Sequence, residues 1–204
     1  MNIILLGKPG AGKGTQAQRL IQDINFTIIS PGNLIREEIK KETPFGLKIK
    51  DLIEQGKLLD DALITELIIP HIKKADQCLF DGVPRTIHQA DILDSLSKID
   101  KVIFLHVDDE VVLKRLTSRC MVSVNGKQLS FANKELAEEF VAKNGGEVFQ
   151  RKDDIPQVIQ NRLDEYREKT KPLIDYYKEK GIFHSIDANN SVENVHVEIL
   201  RILE

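Results

Sequence analysis

Short apolar runs of strand-forming residues alternate along this chain with longer segments in which apolar residues recur at helical spacing. The short runs, bounded by turn-forming residues, predict buried strands at residues 3–6, 26–29, 78–80, 101–107 and 182–186. Parallel neighbours in a sheet need crossover connections, which the intervening helical segments can supply. The pattern therefore predicts an α/β protein with a doubly wound five-stranded parallel sheet, covered by helices on both faces.

Residues 120–150 depart from this alternation. They contain the turn-forming pair Asn125-Gly126, a polar run with helical spacing at residues 133–143, and the flexible pair Gly145-Gly146. We therefore expect an excursion from the core here. A long helix is predicted after it, at residues 155–180, and its first turn tolerates a proline.

Length and composition are those of an ordinary globular protein. The 204 residues suffice for one α/β core with small inserted lobes, and 30% charged with 41% hydrophobic residues is typical of a chain that folds in water. The formal net charge of -3 gives no reason to expect a surface that binds nucleic acid or membrane. We therefore expect small-molecule partners.

The cysteines and the N-terminus favour the cytoplasm. Cys78 and Cys120 lie far apart and form no C-x-x-C pair, which excludes a disulfide framework and a cysteine-based zinc site. The N-terminal residues enter the first predicted strand directly, without a leader-like segment, and no apolar run approaches the ~20 residues of a membrane span. We therefore expect a cytoplasmic protein.

The most specific pattern is the glycine-rich stretch after the first predicted strand. NIILLGKPGAGKGT places Gly7, Gly12 and Lys13 at the fixed positions of G-x-x-x-x-G-K, and a helical run follows at residues 16–21. A phosphate needs inward-pointing backbone N–H groups at a helix N-terminus, and glycines leave room for it. The stretch therefore predicts a loop whose Lys13 reaches the β- and γ-phosphates of a nucleotide. A glycine turn without a ligand is the alternative.

The residue after the lysine departs from the general form of such loops. Gly14 stands where Ser or Thr usually follows, and the hydroxyl comes one residue later. GKPGAGKGTQ resembles the loop of the nucleoside monophosphate kinases, whose usual form is G-x-P-G-A-G-K-G-T. The residues that would bind the phosphoryl donor ATP are then Gly10, Ala11, Gly12, Lys13, Gly14 and Thr15.

A second pattern, DGVPRT, follows the third predicted strand. Asp81 lies at the carboxyl end of that strand, where open α/β sheets place ligand sites, and its carboxylate can hold the water shell of a Mg²⁺ ion that bridges two phosphates. Arg85 is well shaped for bidentate capture of a phosphate. The alternative for Asp81 is a helix N-cap.

The longer stretch D-G-V-P-R-T-x-x-Q-A is similar to the D-G-F-P-R-T-x-x-Q-A signature of the adenylate kinases, and ISPGNLIR at residues 29–36 resembles that family's I-S-T-G-D-M-L-R. The resemblance extends along the chain in the right order. It implies that Arg85 clamps the α-phosphate of the acceptor AMP and that Gln89 hydrogen-bonds the adenine, whose edge a side-chain amide can pair with. The AMP-binding residues implied in this way are Pro31, Arg36, Leu58, Leu59, Gly82, Arg85, Gln89, Arg151 and Arg162.

Two departures from the family fall in the acceptor segment. Pro31 replaces a threonine that contacts the acceptor base, so a hydroxyl and an N–H donor are lost. Asn33 replaces an aspartate near the magnesium waters, so a negative charge is lost. We expect weaker organisation of Mg²⁺ and less secure base selectivity.

Arginines from separate segments form a third set. On their own, most arginines are solvated surface groups. R-L-T-S-R at residues 115–119 and R-K-D-D at residues 151–154, however, resemble the family's R-x-x-G-R and its lid hinge, which implies that these arginines surround the transferring phosphoryl group. Arg115 would also stack on the donor adenine. The catalytic set implied is Lys13, Arg85, Arg119, Arg151 and Arg162, with Arg115 and Arg119 also binding ATP.

The resemblance implies a P-loop kinase core with two insertions, a flap for AMP and a lid. The lid departs most from the family, because Leu129 and Ser130 stand where many bacterial members carry Tyr-His, and it contains no four-ligand metal set. The implied ranges are 1–29, 61–118 and 156–204 for the core, 30–60 for the flap and 119–155 for the lid.

Together these features predict a monomeric phosphotransferase that converts ATP and AMP reversibly into two ADP, by direct in-line transfer with Mg²⁺ and without a general base. Two alternatives remain: a kinase for another monophosphate, UMP or CMP, and a catalytically weak nucleotide-binding paralogue. A GTPase-type switch is disfavoured, because NKEL at residues 133–136 lacks the aspartate of N-K-x-D and no predicted strand precedes it.

Overall fold

A five-stranded parallel sheet forms the centre of the computed structural model, which describes residues 1–55 and 59–204. All five strands predicted from the apolar runs are present, and the doubly wound α/β fold is confirmed. In spatial order the strands are β2 (Thr27–Ile29), β3 (Cys78–Asp81), β1 (Ile3–Gly7), β4 (Lys101–His106) and β8 (Phe183–Asp187).

The central strand β1 shows why its sequence is a continuous apolar run. Ile3 and Leu5 face one hydrophobic cluster, and Ile4 and Leu6 face the other on the opposite side of the sheet. Each of the four side chains is at most 3% exposed. A strand covered by helices on both faces needs apolar residues at every position rather than at alternate ones.

Helices cover the sheet and fill the connections between its strands. Asp60, Thr86, Asn133 and Ser191 cap helix N-termini by accepting hydrogen bonds from backbone N–H groups. No helix in the described residues has the length and apolar character needed to cross a membrane. The helices are α1 (Lys13–Asp23), α2 (Pro31–Lys40), α3 (Pro44–Glu54), α4 (Asp61–Ile72), α5 (Ile87–Leu96), α6 (Asp109–Ser118), α7 (Lys134–Asn144), α8 (Pro156–Glu165), α9 (Leu173–Glu179) and α10 (Val192–Leu203).

The prediction of one continuous helix over residues 155–180 is wrong. A π-helical segment, Tyr166–Thr170, separates α8 from α9, and the N–H of Lys171 donates to the carbonyl of Tyr166 at 2.8 Å, five residues back. Pro172 has no N–H to continue an α-helical ladder and crowds the preceding turn. The chain accommodates the proline by widening the turn before it into a π-helical turn.

Residues 120–149 leave the central sheet, as the sequence predicts, and form a second, antiparallel sheet. Its strands are β5 (Cys120–Val124), β6 (Lys127–Phe131) and β7 (Glu147–Phe149), in the order β6-β5-β7. Asn125 and Gly126 both have positive φ, 49° and 75°, as a two-residue hairpin turn requires. Helix α7 packs on this sheet through Ala137 and Phe140.

Candidate active site

A large cleft opens at the carboxyl ends of β1 and β3. Its volume is about 1080 Å³, and its lining comes from the glycine-rich loop, the end of β3, the second sheet and α8. Strand β1 pairs with β3 on one side and with β4 on the other, so the crossover connections diverge at this point. Such a crevice is the usual ligand site of an open α/β sheet.

The glycine-rich loop forms one wall of the cleft and leads directly into α1. Gly10 and Gly12 have φ of 78° and 96°, which side-chain-bearing residues rarely adopt. A Cβ atom on Gly10 would lie only 2.9 Å from Cγ of Leu116. Helix α1 begins at Lys13, so its first N–H groups lie beside the loop as an anion-binding helix N-terminus requires.

The side chain of Lys13 curls over this loop. Its Nζ donates to the carbonyls of Gly7 at 2.7 Å and Lys8 at 2.8 Å. Burial lowers the pKa of Lys13 to about 8; Asp81 opposes this shift, whereas Arg85 and other nearby arginines reinforce it. An anion bound at this position would stabilise the charged ammonium group.

Asp81 ends β3 and lies beside the first turn of α1. Its Oδ2 atom is 3.5 Å from the position that a Cβ on Gly14 would occupy, so glycine after the lysine leaves space next to the carboxylate. Both residues line the cleft, together with Thr15. No cluster of three or more His, Cys, Asp or Glu side chains suited to a metal occurs among the described residues. One carboxylate supplemented by water and phosphate oxygens is, however, a common arrangement for Mg²⁺.

Arginines from distant parts of the sequence converge on the same cleft, and five of them are predicted to bind the acceptor or the transferring phosphate. They line it together with Lys13, Arg19, Lys114 and Arg115, whereas the described part of the lining includes only two carboxylates, Asp81 and Glu165. The cleft therefore carries an excess of positive charge, as a polyphosphate site requires. The five are Arg36, Arg85, Arg119, Arg151 and Arg162.

Burial of these guanidinium groups is unfavourable without an anion. Burial lowers the pKa of Arg36 to about 10 and that of Arg151 to about 9, and it also lowers the pKa of Arg85. The buried Nε atoms of Arg36 and Arg151 have no hydrogen-bond partner in the described part of the chain. Buried donors of this kind are normally paired, and phosphate oxygens are suitable acceptors.

Two adjacent carboxylates hold part of the arginine set in place. Asp154 accepts from Nε and Nη2 of Arg119 at 2.7 and 2.5 Å and from Nη1 of Arg162 at 3.3 Å. Asp153 accepts from Nη1 of Arg162 at 2.9 Å. Burial alone would raise the pKa of Asp153, but Arg162, Arg151 and the other arginines lower it overall. Sequence reasoning assigned these two carboxylates no role.

A smaller cavity adjoins the large cleft beneath α2 and α3. Among the predicted AMP-binding residues, Leu58 falls outside the described residues, whereas seven others line this cavity. Asn33 accepts from Nη2 of Arg36 at 2.6 Å, so the residue that replaces the family's aspartate orients an arginine. The seven are Pro31, Arg36, Leu59, Gly82, Arg85, Gln89 and Arg162.

Arg151 and Arg115 line the large cleft rather than the smaller cavity. Residues 128–133 and Phe140 of the second sheet and α7 face the same cleft, including Leu129 and Ser130. The structure thus brings every described residue of the predicted site to the two adjoining cavities. The sequence reasoning missed Asp153 and Asp154, for which the acidic residues that follow Arg151 in the sequence were the available signal.

Comparisons with known proteins agree with this geometry. Residues 5–182 match the family model described as adenylate kinase. A protein named adenylate kinase from Methanosarcina acetivorans is 40% identical to this chain and aligns with 100% of it and 98% of its own length. Proteins of the same name from Mesoplasma florum and Bacillus subtilis are 38% and 36% identical, with at least 98% of both chains covered.

Proposed function

The chain belongs to the adenylate kinase family, and we propose that it catalyses the reversible conversion of ATP and AMP into two ADP by direct in-line phosphoryl transfer with Mg²⁺. One observation carries the proposal: the large cleft and the smaller cavity share Arg36, Arg85 and Arg162 at their boundary. Two nucleotides bound with their phosphates facing this boundary would meet at the shared arginines.

The donor would occupy the large cleft. The N–H groups of residues 10–15 bind its β- and γ-phosphates, and Lys13 turns from the loop carbonyls towards them. The adenine stacks on Arg115, beneath the residues of the second sheet that line the cleft, and Arg119 binds the phosphates of ATP. Asp81 would hold Mg²⁺ through water, and the ion would neutralise charge on the donor phosphates.

The acceptor would occupy the smaller cavity. Arg36 and Arg85 bind the α-phosphate of AMP, and Leu59 and Ile64 contact its nucleoside. Gln89 reads the adenine edge. Arg151, which lines the large cleft next to Arg36, would contact both the acceptor and the transferring group.

Transfer between the two nucleotides then needs charge stabilisation more than covalent chemistry. Arg85, Arg119, Arg151 and Arg162 stabilise the developing negative charge on the equatorial oxygens, and no side chain is needed as a general base. Water must be excluded, since it would hydrolyse the γ-phosphate. We assign that role to closure of the flap, residues 30–60, and the lid, residues 119–155, over the core of residues 1–29, 61–118 and 156–204. We further propose that the enzyme works in the cytoplasm as a monomer.

The acceptor identity is tested by measuring ADP formation from ATP with AMP, dAMP, GMP, UMP and CMP in turn. We expect kcat/KM to be highest for AMP, since Gln89 lies in the acceptor cavity. Pro31 lines the same cavity without a hydroxyl or N–H, which removes part of the support for adenine and keeps a pyrimidine acceptor as the alternative. A higher kcat/KM for UMP or CMP would replace AMP as the substrate, and the absence of turnover with all five would indicate a non-catalytic paralogue.

The lowered pKa of Lys13 predicts the alkaline limb of the pH profile. Burial lowers this pKa from 10.5 to about 8, so free enzyme loses the ammonium charge as pH rises through that value. Since the kcat/KM profile reports groups of the free enzyme, kcat/KM for ATP should fall above about pH 8, approaching tenfold per pH unit.

The matched control for this pH profile is Lys13→Arg, because the ordinary pKa of a guanidinium group lies roughly two units or more above that of an ammonium group. Its kcat/KM for ATP should be lower at neutral pH, and the alkaline fall of its profile should begin at a higher pH than that of the wild type. A wild-type profile that stays level to pH 9.5 would contradict the assignment of Lys13 to the phosphates.

A further inference from the structure

A closed polar cluster links the first turns of α4 and α5. Asp61, the first residue of α4, accepts from Oγ1 of Thr86 at 2.8 Å through one carboxylate oxygen and from Nε2 of Gln89 at 2.7 Å through the other. Thr86 caps α5 by accepting from the N–H of Gln89 at 3.1 Å. Asp61 is not among the residues that line either cavity.

This cluster fixes the orientation of the Gln89 amide. Its Oε1 accepts from the backbone N–H of Arg85 at 2.7 Å, while its Nε2 donates to Asp61. A backbone N–H can only donate, and an ionised carboxylate can only accept. Rotating the amide by 180° would therefore place its NH₂ against the N–H of Arg85 and its oxygen against the carboxylate of Asp61. Each end of the amide can still form one further hydrogen bond: Nε2 has a second N–H to donate, and Oε1 has a second lone pair that can accept.

The orientation matters because of where Gln89 lies. Among the described residues that line the smaller cavity, Gln89 has the only uncharged polar side chain; the others are apolar, glycine or charged. Its side chain is buried, with 4% of the residue exposed. Readout of a base edge in this cavity therefore depends on the unused N–H and lone pair of one amide.

Amino and keto bases present opposite patterns to such an amide. Adenine offers an amino donor beside a ring-nitrogen acceptor, whereas a 6-keto purine offers a carbonyl acceptor beside a ring N–H donor. An amide that could rotate freely would accept either edge. An amide held in one orientation can pair with only one of these two edges when both bases bind in the same position.

We propose that Asp61 is a positioning residue that makes the acceptor site selective for amino over keto bases, by holding the Gln89 amide in a single orientation. The inference rests on the proposed function, since it assigns AMP to the smaller cavity. Asp61 acts through Gln89 and contacts neither the base nor the phosphates. Loss of its carboxylate should therefore change which base is accepted while leaving the donor site intact.

The test compares AMP with inosine monophosphate, which carry the same ribose and phosphate and differ at purine position 6. In Asp61→Ala the amide is held only by the N–H of Arg85. We expect the ratio of kcat/KM for AMP to kcat/KM for inosine monophosphate to fall at least tenfold, which is within the range of discrimination that a bidentate base contact supplies. The KM for ATP should stay within about twofold of the wild-type value.

Asp60→Asn is the matched control. Asp60 caps α4 through the N–H of Ala62 at 2.9 Å, and asparagine caps equally well, so the ratio should not change. Gln89→Met removes the base contact itself and gives the ratio expected for complete loss of readout. If Asp61→Ala does not fold, Asp61→Asn replaces it with an expected fall of at least about threefold, because the new amide can turn its own NH₂ towards Gln89.

A ratio in the folded Asp61 variant within twofold of wild type would overturn the proposal, including the case in which turnover of both acceptors drops equally. Failure of the proposed function is distinguishable, because wild-type enzyme would then form no ADP from ATP and AMP. A fall in the ratio through slower AMP turnover, faster turnover of inosine monophosphate, or both, supports the role of Asp61.

Discussion

Replacing Arg85 by alanine should lower kcat for ADP formation from ATP and AMP by about a hundredfold or more. Arg85 lies at the boundary of the two cavities, and its Nε donates to the carbonyl of Gly82 at 2.9 Å, which leaves its terminal nitrogens for phosphate. Removing one preorganised transition-state donor typically costs roughly 3 kcal/mol, and each 1.36 kcal/mol is tenfold in rate.

The measurement combines a coupled ADP-formation assay with calorimetric titration of ATP. ATP affinity should stay within about threefold of wild type, because the donor loop lies elsewhere in the cleft. Arg85→Lys should recover only part of the rate, since an ammonium group cannot form the bidentate contact. Arg201→Ala, an exposed arginine on α10, is the neutral control. Unchanged kcat in Arg85→Ala would refute the assignment.

Replacing Asp154 by asparagine should lower both stability and activity. The Asp154 side chain is only 4% exposed and anchors Arg119 and Arg162 at once. Removing one partner of a buried ion pair leaves the other charge uncompensated, which lowers the free energy of unfolding by about 3 kcal/mol or more. For a domain of this size, that loss lowers the midpoint of thermal unfolding by roughly 6–12 °C. Turnover should fall at least about tenfold, because both arginines lose the contacts that orient them.

Thermal unfolding followed by circular dichroism, together with the coupled assay, checks this second expectation. The control is Asp164→Asn, whose side chain is 59% exposed and pairs with Arg167 at the surface. Exposed pairs contribute little, so the midpoint should change by less than about 2 °C and turnover should be unaffected. Equal unfolding midpoints for Asp154→Asn and Asp164→Asn would show that Asp154 does not hold Arg119 and Arg162 in place.

The two experiments distinguish direct contact with phosphate from support of the groups that make it. Arg85 touches the nucleotides in the proposed complex, whereas Asp154 acts through Arg119 and Arg162. Loss of Arg85 should therefore reduce kcat with little change in stability in the absence of nucleotide, because it removes one of several buried groups of like charge. Loss of Asp154 should reduce both.

Much of the fold could be predicted because its determinants are local. The apolar runs at residues 3–6 and 101–107 predict strands buried on both faces, and both strands are present. The glycine-rich loop could also be predicted, since its backbone conformation and the start of α1 depend on consecutive residues. The error at residues 155–180 arose because apolar periodicity continues through a π turn that a proline imposes.

The sequence by itself determined the parallel sheet and the phosphate loop, because spacing and residue type specify both of them. Its resemblance to the adenylate kinases identified the set of arginines that a phosphoryl-transfer site would need. Only the tertiary structure decided which carboxylates hold those arginines and which way the Gln89 amide faces. Arg119 and Asp154 are 35 residues apart, and Gln89 and Asp61 are 28 apart. Contacts across such separations are made only when the helices pack, so no local pattern specifies them.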